Sequence, residues 1–179
     1  AKIKDLDNYQ IDYGKIDLEK YFEMYERGYP ARLTYEYPHS HRAVSMVTSR
    51  GCPFKCVFCS IHLHMGHAFR WHSAENVIEH IRTLVDRYGV RHIHFEDDNL
   101  TLHKPRFKKI LEGIIKNKFP LTWDTPNGVR ADLLDEEMIR LCRKSGCVYL
   151  MFGVESGNQK VLDEIVKKDL DLNKLVESA

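Results

Sequence analysis

The stretch Thr48-Ser49-Arg50-Gly51-Cys52-Pro53-Phe54-Lys55-Cys56-Val57-Phe58-Cys59 sets three cysteines in the spacing C-x3-C-x2-C. Thiolates are soft ligands suited to iron–sulfur clusters and to zinc. Three of them on one tight loop can hold three irons of a cubane cluster and leave the fourth open to another ligand, whereas ferredoxin-type clusters use four cysteines. The remaining two of the five cysteines, Cys142 and Cys147, lie far along the chain and read as packing residues. An odd count with this clustering points to a metal or iron–sulfur site in a reducing compartment rather than to a disulfide frame. All ten histidines fall between His39 and His103, and His62, His64 and His67 follow the cysteines closely. A Cys3His zinc site is therefore the competing reading, although zinc spacings usually come as paired C-x2-C units.

Working outward, Ala43–Thr48 is a short apolar strand candidate ending in Ser49-Arg50-Gly51. Downstream, Ser73 stands as a helix N-cap with Glu75 in the first turn. Val77, Ile78, Ile81, Leu84, Val85 and Tyr88 then form one helical stripe, which Gly89 closes. Val90–Phe95 predicts the next strand, with His92 and His94 alternating along one face, either toward a barrel lumen or simply packed there. A second helix follows Pro105, with Phe107, Ile110, Leu111, Ile114 and Ile115 on one face, and Pro120 stops it. Leu121–Thr125 predicts a third strand. Asp135 caps a third helix whose inner face is Met138, Leu141 and Cys142, and Ser145-Gly146 ends it. Cys147–Phe152 is a nearly continuous apolar run, as in a strand buried on both faces of a parallel sheet. Gln159–Val166 and the residues from Leu172 onward read as helical.

The order is βαβαβαβα, which predicts an α/β fold with a parallel sheet and right-handed crossovers. Four βα units suffice for part of a barrel or a small open sheet. A fifth strand is expected beyond the last helix, so the pattern predicts a chain truncated at its carboxyl end. Residues 1–43, rich in Tyr, Asp and Lys, with breakers at Gly14, Gly28, Pro30 and Pro38, read as a lead-in or linker packed against the main domain, residues 44–179. Asp17 is the expected cap of a short lead-in helix over Leu18–Tyr25.

In such folds chemistry gathers at the carboxyl ends of the strands. The loops that matter are then Ser49–Arg70, Glu96–His103, Pro126–Asp132 and Gly153–Asn158. Glu96-Asp97-Asp98-Asn99 is a solvated acidic turn capping the next helix, a site for a hard cation such as magnesium, or a carboxylate site for an ammonium group. Asn127-Gly128 is a strong turn signal, and Arg130 either pairs with Asp132 or reaches into a pocket. Gly153-Val154-Glu155-Ser156-Gly157 is a plain strand-to-helix turn with Ser156 as a cap, or a ligand contact in which glycines admit close backbone approach.

The motif C-x3-C-x-aromatic-C directly after the first strand of a βα barrel, with Phe58 as the aromatic residue, resembles the signature of the radical S-adenosylmethionine (SAM) superfamily. Residues 48–59 look particularly like the branch that often carries a cobalamin-binding domain ahead of the barrel, which includes magnesium-protoporphyrin ester cyclase-like proteins and cobalamin-dependent methyltransferases. The resemblance implies a partial, TIM-barrel-like (β/α) fold in which Cys52, Cys56 and Cys59 ligate a [4Fe-4S] cluster and Phe58 lies near the adenine of SAM. In the superfamily the loop after the second strand commonly reads Gly-Gly-Glu and holds the SAM amino group. Alignment by strand end puts Asp98 at that Glu, with Glu96 and Asp97 replacing the glycines. The stretch Asn127-Gly128-Val129-Arg130-Ala131-Asp132 resembles one found in the same branch, where Arg130 would meet the SAM carboxylate or shape the pocket. Glu155 and Ser156 match the superfamily's Gly-x-Glu-Ser-Gly run, near the ribose and methionine of SAM. The activity implied is reductive cleavage of SAM to methionine and a 5′-deoxyadenosyl radical that abstracts a substrate hydrogen. The implied partners are a small-molecule substrate and a reductant such as flavodoxin or ferredoxin. Cobalamin is expected only in a full-length parent, since this piece holds no Asp-x-His-x-x-Gly motif. The alternative is a non-catalytic zinc- or iron–sulfur-binding module, which would need the cysteines but not the other strand-end motifs.

Composition agrees with an ordinary globular domain. Hydrophobic residues make up 43% and charged residues 30%, and Lys plus Arg (27) nearly balances Asp plus Glu (26). A net charge of +1 offers no electrostatic argument for nucleic-acid or membrane-surface binding. No apolar run reaches the length of a membrane span, and Ala1–Lys20 lacks the apolar core of a signal peptide. The chain begins at Ala1 rather than Met, as a processed or excised piece would, and a cytoplasmic location is expected.

Overall fold

A strand followed by a capped amphipathic helix and a second strand can lie parallel to its successor only through a crossover, and twist makes that crossover right-handed. The computed structural model, which describes residues 3, 5–9, 11–27 and 40–179, repeats this unit along the chain. In chain order the elements are α1 (Leu18–Glu26), β1 (Ala43–Met46), β2 (Ser49–Arg50), α2 (Ile61–His64), β3 (Arg70–Trp71), α3 (Ala74–Tyr88), β4 (His92–Phe95), α4 (Lys104–Asn117), β5 (Thr122–Val129), α5 (Glu136–Lys144), β6 (Cys147–Phe152) and α6 (Leu172–Ser178). The parallel sheet runs β1-β4-β5-β6, strictly in chain order, while β2 and β3 form a separate antiparallel ribbon. Because every crossover steps in the same direction, the helices fall on one face, and α4 packs between α3 and α5. That is a partial (β/α) barrel rather than a doubly wound sheet.

The helix boundaries follow their predicted signals. Ser73 caps α3 through the Asn76 N–H, and Asp135 caps α5 through the Met138 N–H. Gly89 ends α3 at φ 63°. At the equivalent joint Gly146 has φ 92°, and a Cβ there would stand 2.6 Å from the Leu121 carbonyl, so the α5–β6 turn admits no side chain. The α4 cap is His103, whose ring accepts from the Arg106 N–H. That helix stops at Asn117, with Lys118 in the left-handed region, before Pro120 is reached. The helical stretch at Gln159 is wound as a π turn over Val161–Val166.

The core lies between the sheet and the helices. Ile93, Phe95 and Trp123 point into it and meet Ile81, Leu84, Phe107, Ile110 and Leu111. Trp123 sits edge-on to Phe95 (5.5 Å) and Phe107 (6.2 Å), and its indole N–H is shared by the Ser145 hydroxyl and carbonyl. From α1, Leu18 and Phe22 join the same core. Arg42 covers the Phe22 ring at 4.3 Å and binds Glu19 at 2.7 Å, fastening α1 to the foot of β1. The breakers Gly28, Pro30 and Pro38 lie outside the described residues.

Two strand expectations are corrected. The third strand does not end at Thr125 but continues to Val129, with register shifts against β6 between Trp123 and Asp124 and between Thr125 and Val129. Asn127-Gly128 is therefore a bulge inside a strand, and Asn127 donates its side-chain N–H to the Glu96 carbonyl at 2.8 Å. The last strand is not buried on both faces. Among the described residues β6 pairs only with β5, and Val148 and Tyr149 are exposed. Of its apolar run, Cys147, Leu150 and Phe152 pack against the core.

Two buried histidines make stability depend on pH. His72 and His80 lie 5.7 Å apart, and burial lowers the pKa of each below the ordinary histidine value, with repulsion from His72 adding to the effect at His80. The unfolded chain then binds more protons than the native one as pH falls below about 6.5, so native stability drops through that window. A denaturant midpoint that falls between about pH 7.5 and about pH 5.5, with a shallower fall in His80→Gln, is the expected result. A midpoint that rises on acidification would contradict it.

Candidate functional site

Two buried charges fix the turn from which the cysteine loop springs. Asp97, 1% exposed, accepts the Thr48 N–H at 3.1 Å, the Thr48 hydroxyl at 2.8 Å and the Ser49 hydroxyl. Arg106 on α4, 4% exposed, donates to the His72 carbonyl at 2.6 Å, and to the Thr48 carbonyl at 3.0 Å and hydroxyl at 2.7 Å. Asp98 reaches one step further along the loop and accepts the Gly51 N–H at 2.9 Å. Burial raises the Asp98 pKa, the Gly51 N–H opposes that rise, and the Asp97 charge adds to it. The acidic turn is thus an internal clamp rather than a solvated one.

Gly51 has φ 83°, and a Cβ there would lie 2.5 Å from the Ala68 carbonyl and 2.8 Å from the Gly66 carbonyl. The loop closes on itself at this point: Cys52 N–H donates to the Gly66 carbonyl at 3.2 Å, and β2 pairs with β3 just beyond. At its far side the loop is tied by Val57 N–H to the Val166 carbonyl (3.0 Å) and by Cys59 N–H to the Cys56 carbonyl (3.1 Å).

Cys52, Cys56 and Cys59 are free thiols, each partly buried. Burial raises the Cys52 pKa; the Phe54 N–H and the Asn99 side chain oppose this, while Cys59 and Asp98 add to it. Burial also raises Cys56, but the nearby charges of Lys168 and Arg130 pull it down against those of Cys52 and Cys59. Three soft donors that feel one another's charge, with two cations alongside, fit a cluster held by three thiolates, whose negative charge those cations offset. The Cys3His alternative would need one of the neighbouring histidines to join the thiols. Among the described residues, the group of His, Cys, Asp or Glu close enough to share an ion is His92, His94 and Asp124, with no cysteine in it. His67 instead approaches the Cys52 carbonyl at 3.3 Å and stacks on His62.

The fourth strand end comes to the same place. Glu155 adopts φ 67°, a conformation that costs a non-glycine residue about 1 kcal/mol, and accepts a hydrogen bond from Lys168 Nζ at 3.1 Å. Lys168 is 8% exposed and its ammonium lies 5.6 Å from the centre of the Phe58 ring. Phe58 itself is 57% exposed at the lip of the loop. The Ser156 hydroxyl accepts the Asn158 N–H at 3.1 Å and so caps its own turn. Arg130 binds Asp132 through two hydrogen bonds of 3.0 and 2.7 Å, donates to the carbonyls of Lys168 and Asp169, and lies 3.9 Å over the Phe54 ring. It braces the end of β5 against the cysteine loop and the Lys168 backbone.

Cys56, Phe58, Arg130 and Glu155 are therefore drawn together around one residue that the sequence did not flag, Lys168. Asp98 sits on the other side of the loop, at its root. The clamping role of Asp97 within the acidic turn was not evident from the sequence, and Arg106, which helps hold that root, lies outside every motif. Their partners lie 49 and 58 positions away, beyond any local pattern.

Comparison with known proteins follows this geometry. The model of the radical SAM superfamily matches residues 46–178. The chain is 33% identical over 160 residues to cytidylyl-2-hydroxyethylphosphonate methyltransferase of Streptomyces wedmorensis, covering 88% of this chain and 28% of that protein. It is 29% identical over 166 residues to the anaerobic magnesium-protoporphyrin IX monomethyl ester cyclase of Rubrivivax gelatinosus, covering 93% and 27%. The chain thus spans little more than a quarter of the length of these relatives. Among solved structures, the radical SAM methyltransferase TsrM of Kitasatospora setae superimposes with a TM-score of 0.65 at 18% identity, covering 76% of this chain and 28% of that one. The cobalamin-dependent SAM radical enzyme OxsB does so with 0.64 at 23% identity, covering 77% and 22%. These likenesses establish the fold.

Proposed function

The chain belongs to the radical SAM superfamily, and from that premise we propose that it forms the cluster-bearing part of an enzyme that activates a substrate C–H bond. The observation that carries this reading is the meeting of three partly buried thiols, two cations and the ends of four consecutive parallel strands at one edge of the sheet. When bound, a [4Fe-4S] cluster supplies the electron that cleaves SAM to methionine and a 5′-deoxyadenosyl radical. Cys52, Cys56 and Cys59 would hold that cluster.

The protein's own part is positioning and screening. Asp97, Arg106 and Asp98 hold the root of the loop, so the thiols are set before any ligand arrives. Lys168 and Arg130 offset negative charge beside Cys56. Glu155, held out by its left-handed backbone, offers a second carboxylate oxygen to a ribose hydroxyl or an ammonium group. Ser156 sits in the same turn. Asp98 would receive the SAM amino group on its free oxygen, and exposed Phe58 would cover the adenine. Arg130 serves as the pocket-shaping brace, because its bonds to Asp132 occupy the face that would otherwise bind a carboxylate.

Relatives named as a methyltransferase and a cyclase support a parent enzyme that performs methyl transfer or ring formation, with cobalamin as an additional cofactor outside this chain. A small-molecule substrate and a reductant such as flavodoxin or ferredoxin complete the proposal. Free cysteines suit the reducing cytoplasm, and among the described residues no helix is long and apolar enough to cross a membrane.

The test is anaerobic reconstitution with iron and sulfide, followed by electron paramagnetic resonance of the reduced protein with and without SAM. A cubane-cluster signal that changes on adding SAM is the expected result. Uptake of zinc in place of iron, or a cluster signal indifferent to SAM, would favour the non-catalytic metal module.

A further inference from the structure

The face of the sheet turned away from α3 and α4 carries a polar cluster that the cysteine site does not use. His92 and His94 are two residues apart on β4, so both side chains leave the same face, opposite Ile93 and Phe95. Asp124 lies level with His94 in the β4–β5 register. The side chains of His92, His94 and Asp124 are 0%, 6% and 3% exposed. One candidate ligand atom from each lies within 4.8 Å of the other two. One Asp124 oxygen stands 2.7 Å from His94 Nδ1 and the other 3.3 Å from His92 Nε2.

The His92 ring is held from its far side: its Nδ1 is 2.7 Å from the Thr122 hydroxyl oxygen, which turns Nε2 toward one Asp124 oxygen while His94 Nδ1 faces the other. A single cation at the point where the three side chains converge would be met by two imidazole nitrogens and a carboxylate oxygen.

We propose that His92, His94 and Asp124 hold one divalent transition-metal ion of the zinc or ferrous class, separate from the cysteine site. Imidazole with one carboxylate is a donor set for borderline ions rather than for magnesium or calcium. Thr122 is the outer partner that fixes the His92 ring, as ligating histidines require. Three protein ligands leave a coordination position open to water or to an oxygen or nitrogen of a bound molecule. That position faces the side of the sheet on which a barrel keeps its lumen.

The probe is Co2+, a coloured stand-in for Zn2+, titrated into the chelator-treated chain. The expected result is one ion per chain with visible ligand-field bands and no near-ultraviolet thiolate charge-transfer band, unchanged in Cys56→Ala. His94→Gln and Asp124→Asn should abolish it. Thr122→Val keeps all three ligands and the side-chain volume, so it guards against misfolding of the ligand variants, and it should weaken binding by roughly 10–100-fold. Cobalt bound only with a thiolate band and lost in Cys56→Ala would overturn the proposal. So would the absence of binding, or equal binding in His94→Gln and Thr122→Val.

Discussion

A Cys56→Ala chain, reconstituted anaerobically with iron and sulfide, will hold almost no iron, where the parent chain holds about four atoms per molecule. Removing one of three thiolates leaves two irons' worth of thiolate ligands on the loop. Cys142→Ala is the informative control. Cys142 is 2% exposed in the core face of α5, and its burial drives the thiol pKa upward and keeps it neutral. That variant should bind iron normally and lose only packing energy, about 1 kcal/mol. Iron analysis and thermal melting on the two proteins separate ligand from filler. Normal iron in Cys56→Ala would remove the cluster assignment.

Asp97→Ala should be the most destabilising single change around the site. Its carboxylate receives three donors from Thr48 and Ser49, in a buried position where water cannot replace it. It also supplies the main nearby negative charge for Arg106, whose guanidinium is itself buried. Leaving those three buried donors without their acceptor costs about 3–5 kcal/mol, since each unsatisfied buried group costs about 1–3 kcal/mol. For a chain of this size that is a fall in melting temperature of roughly 10 °C. The loop root would loosen with it, so iron uptake should also fall. Thermal unfolding beside the exposed control Glu75→Ala checks the claim, and equal melting temperatures would refute it.

Much of the fold was legible because its signals are local. Ser73 and Asp135 cap helices through N–H groups three residues on, and Gly89 and Gly146 close them with positive φ. Such features depend on a few neighbouring residues, and the hydrophobic stripe between them repeats every turn. The strand ends were harder. The sequence turns from apolar to polar at Pro126, yet β5 runs on to Val129, because bulged pairing with β6 continues after the alternation has ended. The apolar run Cys147–Phe152 marked a strand but did not tell which of its side chains stay exposed, as Val148 and Tyr149 do.

The candidate site divides in the same way. By itself the sequence picked out the three thiols proposed as cluster ligands, since C-x3-C-x2-C is a contiguous pattern whose chemistry follows from residue type. It also determined that the strand-end loops lie on one edge of the sheet, since strands joined by helical crossovers run parallel with their carboxyl ends together. Only the tertiary structure decided what each polar side chain does there. Arg130, Asp98 and Ser156 were open between structural and ligand roles, and the fold set Arg130 against Asp132, Asp98 against the Gly51 N–H and Ser156 against the Asn158 N–H. It brought in Lys168, Asp97 and Arg106 from distant positions, and it placed His92, His94 and Asp124 around one point. Long-range pairing of charges depends on distances in space, and a buried charge keeps whichever partner the packing delivers.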